Sequence, residues 1–191
     1  MDGVPFGKAL WFYMEVTPQR FPWAFAKANS PGRVIAALEL LATTVSVMLF
    51  GHKIRDRVEA QGVMTASTDN QGNSFAMIKY MSSKWPLTVL IMELSEQLRQ
   101  FKTTLALSWR QREHNIEADA ITNQAFEGFD PRLRLGTDNL QWLVLDSMME
   151  ASQALYQNIV HEREARAASA AKPKPVPKLK ASQRMKVSDP W

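Results

Sequence analysis

The segment from Val34 to Phe50 constrains the fold most strongly, because it is almost wholly apolar and carries one charged residue, Glu39. Ser30 and Pro31 precede it, and an N-cap serine followed by proline is typical of a helix start. Gly51 follows it and predicts the helix end. A membrane span needs about 20 apolar residues and rarely contains an acid. We therefore predict a helix buried in a globular core, with no membrane contact.

Short apolar stretches elsewhere predict strands. Residues 9–16 and 62–68 are rich in apolar side chains and read as strands, and residues 103–109 alternate between apolar and small or polar side chains. Further helices are predicted over residues 74–82, 86–101, 116–126 and 140–163. We expect five tryptophans in the core: Trp11, Trp23, Trp85, Trp109 and Trp142. Strands that alternate with helices predict an α/β fold with partly parallel pairing.

The last part of the chain differs in composition. After about Ala165 alanine, lysine and proline alternate, so we expect a domain of residues 1–165, which ends in a helical extension, and a disordered tail of residues 166–191. From Lys172 on there are six basic residues and one acid, so this segment has a net charge of +5. Because the net charge of the whole chain is +4, the remaining residues together carry −1. The tail is either a solubilising terminus or a basic arm that attracts nucleic acid.

The residue types also limit function and location. The chain contains no cysteine, which excludes disulfides, thiolate zinc sites and cysteine nucleophiles. Its start lacks a basic region followed by an apolar run, so no secretory signal is predicted. We expect an intracellular protein, and the sequence does not decide between nucleus and cytoplasm or indicate an oligomeric state.

Three acidic residues are candidates for a functional site because of their positions in the predicted elements. Glu39 lies inside the apolar helix, Asp69 follows the strand over 62–68, and Asp119 lies near a helix start. Taken singly, each has a structural explanation: a solvated helix edge, a turn cap and a first-turn acid that the helix dipole favours. Together they can meet where parallel strands end. Clustered carboxylates suit Mg²⁺ or Mn²⁺, and two such ions about 4 Å apart promote water attack on a phosphodiester.

Two segments of the chain resemble the ribonuclease H domains of retroelement reverse transcriptases. They are Thr68-Asp69-Asn70-Gln71-Gly72-Asn73 and Arg112-Glu113-His114-Asn115-Ile116-Glu117-Ala118-Asp119-Ala120-Ile121-Thr122-Asn123. In that family a strand that ends in Ser/Thr-Asp-Asn, an Asn-x-x-Ala-Asp segment and a glutamate of the first helix supply metal ligands. Asp69, Asp119 and Glu39 match these positions. The resemblance covers roughly residues 9–127.

The resemblance implies a mixed sheet flanked by helices, bound Mg²⁺ or Mn²⁺ and hydrolysis of the RNA strand of an RNA–DNA hybrid. It further suggests contacts to nucleic acid by four residues: Asn70, Arg112, His114 and Asn115. Each has a plainer alternative, such as a turn residue for Asn70 and a solvated side chain for Arg112. His114 lies closer to the last acid than the mobile histidine of the family does.

One departure affects activity. The family's first strand carries an aspartate that bridges both metals, and no matching motif precedes the apolar helix here. We therefore expect the first strand or strands to be lacking, so that an upstream reverse transcriptase domain completes the site or catalysis is lost. The alternatives are a non-catalytic nucleic-acid-binding or scaffold remnant of a reverse transcriptase, and an unrelated helical interaction protein whose acids are incidental.

Overall fold

A computed structural model describes residues 9–25, 31–55 and 62–169 of the chain. Its helices and strands follow in the order β1 Trp11–Phe12, α1 Pro31–Arg55, β2 Gly62–Thr68, α2 Gln71–Lys79, α3 Leu87–Gln100, β3 Thr103–Trp109, α4 Ile116–Thr122, β4 Arg134–Leu135 and α5 Leu145–Ser169. The chain divides into two units, residues 1–155 and residues 156–191. The first unit contains all strands and both segments of the predicted site.

Strands β2 and β3 form a parallel pair, which confirms the predicted α/β class and both predicted strands. Gly62 lies opposite Thr103 and Thr68 lies opposite Trp109, so the two strands end at the same edge. One face of the pair is buried and bears Met64, Thr68, Thr103, Leu105 and Leu107. Side chains along each strand therefore alternate between the buried face and the exposed face of the pair.

Helix α1 is the central core helix, as its apolar sequence predicts. It packs against α3 and β2, and its fully buried positions recur at helical spacing, among them Leu40, Leu41 and Val45. By length and composition alone the window Val34–Gly51 is apolar enough to cross a membrane. Within this window 44% of the residues are buried, in part against α3 and the β2–β3 pair.

The predicted end of α1 at Gly51 is wrong, because the helix continues to Arg55. Gly51 is buried, and a Cβ atom there would lie 2.5 to 2.9 Å from three ring carbons of Phe101. The glycine therefore allows α1 to approach the residue that follows α3. Ser30, the predicted N-cap, lies outside the described residues, as do residues 56–61.

The predicted strand over 9–16 is also wrong in extent. Only Trp11 and Phe12 form a strand, paired in parallel with Arg134 and Leu135. Aromatic side chains of this segment pack against Phe126, whose ring centroid lies 5.5 Å from that of Trp11 and 5.3 Å from that of Tyr13. The Arg134 guanidinium lies over these rings. The aromatic residues of this segment therefore contribute to a cluster of rings with one arginine, and not to a long β-strand.

Three predicted helices have other bounds. The helix expected over 74–82 is α2, Gln71–Lys79, and the one expected over 116–126 ends at Thr122. The helix expected over 140–163 is α5, which begins at Leu145 and extends to Ser169, into the segment predicted to be disordered. Residues 170–191 of the predicted basic tail lie outside the described residues.

The start of α5 is fixed by Glu93, a fully buried acid of α3. Its carboxylate accepts hydrogen bonds from the backbone N–H groups of Leu143, Val144 and Leu145, the shortest at 2.7 Å, and from Nε2 of Gln97 at 2.7 Å. The first N–H groups of a helix lack partners within the helix. A carboxylate from a neighbouring helix satisfies them here.

Candidate functional site

The common end of β2 and β3 brings the two predicted motifs together. The backbone N–H of Arg110 donates to the carbonyl of Thr68 at 2.8 Å, which extends the pairing by one residue. Asp69 follows Thr68 directly, so its position at this edge is set by the strand register. Ligands of open parallel sheets collect at such carboxyl ends.

Asn70 links the strand end to α2. It is the N-cap of α2, and its Oδ1 atom accepts from the backbone N–H of Asn73 at 3.2 Å. Its own N–H donates to the hydroxyl of Thr68 at 3.1 Å. Asn70, and not Asp69, is therefore the residue whose side chain caps α2. This cap also explains why α2 begins before residue 74.

Glu39 reaches the same place from α1. Its half-buried carboxylate accepts a hydrogen bond from the side chain of Asn70, and Nδ2 of Asn73 lies 3.5 Å from its Oε2 atom. Burial raises the pKa of Glu39 above its ordinary value of 4.5, and the nearby charge of Asp69 raises it further. The hydrogen bond from Asn70 and the charge of Arg112 oppose this rise in pKa.

Asn73 supports Glu39 from the first turn of α2, and its side chain is almost fully buried, with 1% exposed. Its Nδ2 atom donates to the carbonyl of Ala36 at 2.8 Å, which ties α2 to α1. Within the described part of the chain, its Oδ1 atom is buried and has no hydrogen-bond partner. A buried acceptor without a partner costs about 1–3 kcal/mol, so this atom is an open position for a donor or a cation.

The second motif meets the first through Arg112. The Nε atom of Arg112 lies 3.9 Å from Oδ2 of Asp119, and Arg112 also acts electrostatically on Glu39. Asp119 is in the first turn of α4, and its side chain is 41% exposed. Glu39, Asp69, Asn70 and Arg112 therefore lie together, while Asp119 is connected to them by way of the arginine.

The two remaining predicted contact residues lie just before α4. Asn115 is the N-cap of α4, but its side chain makes no capping hydrogen bond. His114 is exposed, and its backbone carbonyl accepts from Nη1 of Arg110 at 3.3 Å. Neither side chain forms a hydrogen bond or ion pair with the three acids in the part of the chain that the structure describes.

The donor set can be compared with what a divalent metal requires. Glu39 and Asp69 offer carboxylate oxygens and Asn73 offers an amide oxygen without a partner, and hard oxygen donors are what Mg²⁺ and Mn²⁺ prefer. No group of three or more histidine or acidic side chains lies close enough to hold a metal ion within residues 9–25, 31–55 and 62–169. Glu39 and Asp69 are close enough to interact electrostatically, and Asp119 is paired with Arg112.

A cavity of about 610 Å³ adjoins this cluster. Asn70 and Asn73 form part of its wall, Phe75 adds an aromatic surface, and the exposed amines of Lys79 and Lys84 stand at its border. Lysines beside amides and an aromatic ring offer contacts for an anionic ligand that also has an apolar part.

Two residues of this region were missed or misplaced by sequence reasoning. The helix predicted over 74–82 leaves out Asn73, although its spacing of three residues from Asn70 is that of a helix cap and its third helical residue. Trp109 was predicted to lie in the core with Leu105 and Leu107, but it is 48% exposed. Trp109 is the last residue of β3. The apolar alternation of the sequence extends to this position, but the burial of the strand face does not. Trp11, Trp23 and Trp85 are buried as predicted, and Trp142 is half-buried.

Comparison of the chain with models of known protein families, with functionally characterised proteins and with solved structures gave no match.

Proposed function

We propose that the chain carries a ribonuclease H-like domain of the type attached to reverse transcriptases, which hydrolyses the RNA strand of an RNA–DNA hybrid. One observation carries the proposal. Glu39 from the core helix and Asp69 from a strand end interact electrostatically at the edge where two parallel strands finish, with Asn70 hydrogen-bonded to Glu39. These are the residues that the sequence resemblance assigns to the site.

The residues that would hold a Mg²⁺ or Mn²⁺ ion are Glu39 and Asp69, and the side chain of Asn73 contacts Glu39 through its Nδ2 atom. Such an ion supplies Lewis-acid activation of a water molecule and neutralises phosphate charge. Asn70 and Asn73 orient the carboxylate of Glu39, and the repulsion between Glu39 and Asp69 favours cation binding at this point.

Cations around the acids support binding of a phosphate backbone. Arg110 and Arg112 follow β3, and Lys79 and Lys84 border the adjoining cavity; all four are exposed. Phosphate contacts of this kind position a nucleic acid without reading its sequence. Because the body of the chain is nearly neutral, this local group of cations matters more than the overall charge.

Hydrolysis of a labelled RNA–DNA hybrid in Mg²⁺ or Mn²⁺ tests the proposal. We expect Asp69→Asn to lower the rate by roughly 100-fold or more, because it removes a charge that the reaction centre requires. Asp138→Asn, which changes an exposed acid outside the site, serves as the matched control and keeps the parent rate. Equal rates for the parent and Asp69→Asn would remove Asp69 from catalysis.

A second candidate is a non-catalytic nucleic-acid-binding or scaffold remnant of a reverse transcriptase. The pairing of Asp119 with Arg112 at 3.9 Å favours it, because the third acid then has a cation partner that is not a metal. This candidate predicts that the protein binds the hybrid but does not cleave it, even in Mn²⁺.

A further inference from the structure

Trp109 is an aromatic side chain exposed at the edge of the candidate site. It is 48% exposed, whereas Trp11, Trp23 and Trp85 are at most 6% exposed. Leaving part of an indole in water forgoes burial energy that a core position would provide. An aromatic surface kept accessible beside functional side chains is a candidate binding surface.

The indole of Trp109 is oriented by a hydrogen bond to the backbone that follows β2. Its Nε1 atom donates to the backbone carbonyl of Asp69 at 3.2 Å, which ties the ring to the end of β2. The next residue, Arg110, donates its backbone N–H to Thr68 at 2.8 Å, so the backbone on the far side of the ring is held as well. A ring held in this way loses little conformational freedom when a ligand covers it.

Two exposed arginines, Arg110 and Arg112, follow Trp109 in the chain. Arg110 donates from Nη1 to the carbonyl of His114 at 3.3 Å, and Arg112 lies 3.9 Å from Asp119. Both guanidinium groups are therefore held close to the segment that follows β3. An exposed aromatic face followed by two exposed arginines matches a nucleic-acid strand, because the bases stack on aromatic rings and the phosphates pair with arginine.

We propose that Trp109 is a stacking platform for an unpaired base of a nucleic-acid strand whose phosphates contact Arg110 and Arg112. This proposal rests on nucleic-acid binding, as proposed above, and adds to it a single-stranded binding site at the rim of the acidic cluster. It requires no metal ion and no bond cleavage, so it can be measured apart from catalysis. The stacked base would lie against the carboxyl ends of β2 and β3.

The test is binding of a fluorescein-labelled single-stranded DNA of about 12 nucleotides, followed by anisotropy in EDTA. We expect Trp109→Ala to weaken binding roughly 5- to 100-fold, the effect of one lost base–aromatic stack, and Trp109→Phe to keep most of the affinity. Phe25→Ala is the matched control, because Phe25 is an equally exposed aromatic (52%) in the 3-10 helix Pro22–Phe25. It should leave binding unchanged.

A second measurement keeps the test valid if Trp109→Ala perturbs folding. We expect the oligonucleotide to quench the tryptophan fluorescence of the parent protein and to quench that of Trp109→Phe much less, with both proteins showing the same circular dichroism. Equal quenching of the two proteins, or parent-like affinity of a folded Trp109→Ala, overturns the stacking proposal and leaves the proposed hydrolysis standing.

The remaining outcomes separate the two proposals. Binding that depends on Trp109, in a protein that does not cleave the hybrid in Mn²⁺, supports the stacking platform and overturns the catalytic function. A parent protein that binds neither the oligonucleotide nor the hybrid overturns both.

Discussion

Among single residues, Glu39 is held in an environment that disfavours its charged form. Burial comes first among the causes that raise its pKa, followed by the charge of Asp69, with Asn70 and Arg112 acting in the opposite sense. The folded protein therefore binds a proton at Glu39 more readily than the unfolded chain does. The ionised group costs stability at neutral pH, and this cost disappears as the pH falls below about 4.5.

Glu39→Gln is expected to stabilise the protein at pH 7, because it removes this charge from a partly buried position. Solvent screening of a half-buried group limits the gain to a fraction of 1 kcal/mol, or about 1–3 °C in Tm. The gain should vanish near pH 4, where the carboxyl group is protonated in both states. Thermal unfolding at both pH values measures it, with Asp138→Asn as the control. A loss of stability at pH 7 would contradict the electrostatic description of Glu39.

At the scale of elements, two contacts determine how the helices pack, and the first is between α1 and Phe101. We expect Gly51→Ala to destabilise the protein by about 1–2 kcal/mol, because a Cβ atom 2.5 Å from the buried ring must displace it. Alanine's better helix propensity offsets about 1 kcal/mol of a larger steric cost.

The matched control for this change is Gly136→Ala, because nothing lies within 4 Å of a Cβ atom there. It should change the free energy of unfolding by less than about 0.5 kcal/mol. Urea unfolding compares the two variants, and the additional change Phe101→Leu should restore part of the loss in Gly51→Ala. A Gly51→Ala protein more stable than the parent would contradict the steric clash between the added Cβ atom and the ring of Phe101.

The second contact is between Glu93 and the start of α5. Glu93→Gln should cost about 1.5–3 kcal/mol, because the amide presents N–H donors to the backbone N–H groups that the carboxylate now satisfies. Glu96→Gln, three residues along α3, removes only a surface pair with Arg99 and should cost clearly less than Glu93→Gln. Urea unfolding gives both values, and faster amide exchange at Val144 and Leu145 should accompany only the first change. Equal effects would contradict the capping role.

The elements also show which parts of the fold can be predicted from sequence. Strand β3 follows from alternation, β2 and α1 follow from short and long apolar runs, and α3 follows from apolar residues at helical spacing, because these patterns are local. The end of α1, the short β1 and the exposure of Trp109 depend on which neighbours lie nearby. Glu93 reads as a polar residue beside an apolar stripe, and only the position of α5 makes it a buried cap.

For the whole molecule, the placement of Glu39 near Asp69 follows from chain order, since a helix before β2 and a turn after it can meet at one edge. The amide contacts of Asn73 and the pairing of Arg112 with Asp119 could not be predicted, because both depend on tertiary packing. At this scale we therefore propose that the two acids create a place for a hard divalent cation.

Thermal unfolding with and without Mn²⁺ tests this claim most directly. At about ten times its Kd, the ion should raise the Tm of the parent protein by about 3–5 °C, because it binds the folded state. Glu39→Gln and Asp69→Asn should each abolish the Mn²⁺-dependent rise, while Asp138→Asn keeps it. No rise in the parent protein, or the same rise in Glu39→Gln and Asp69→Asn, would contradict the account.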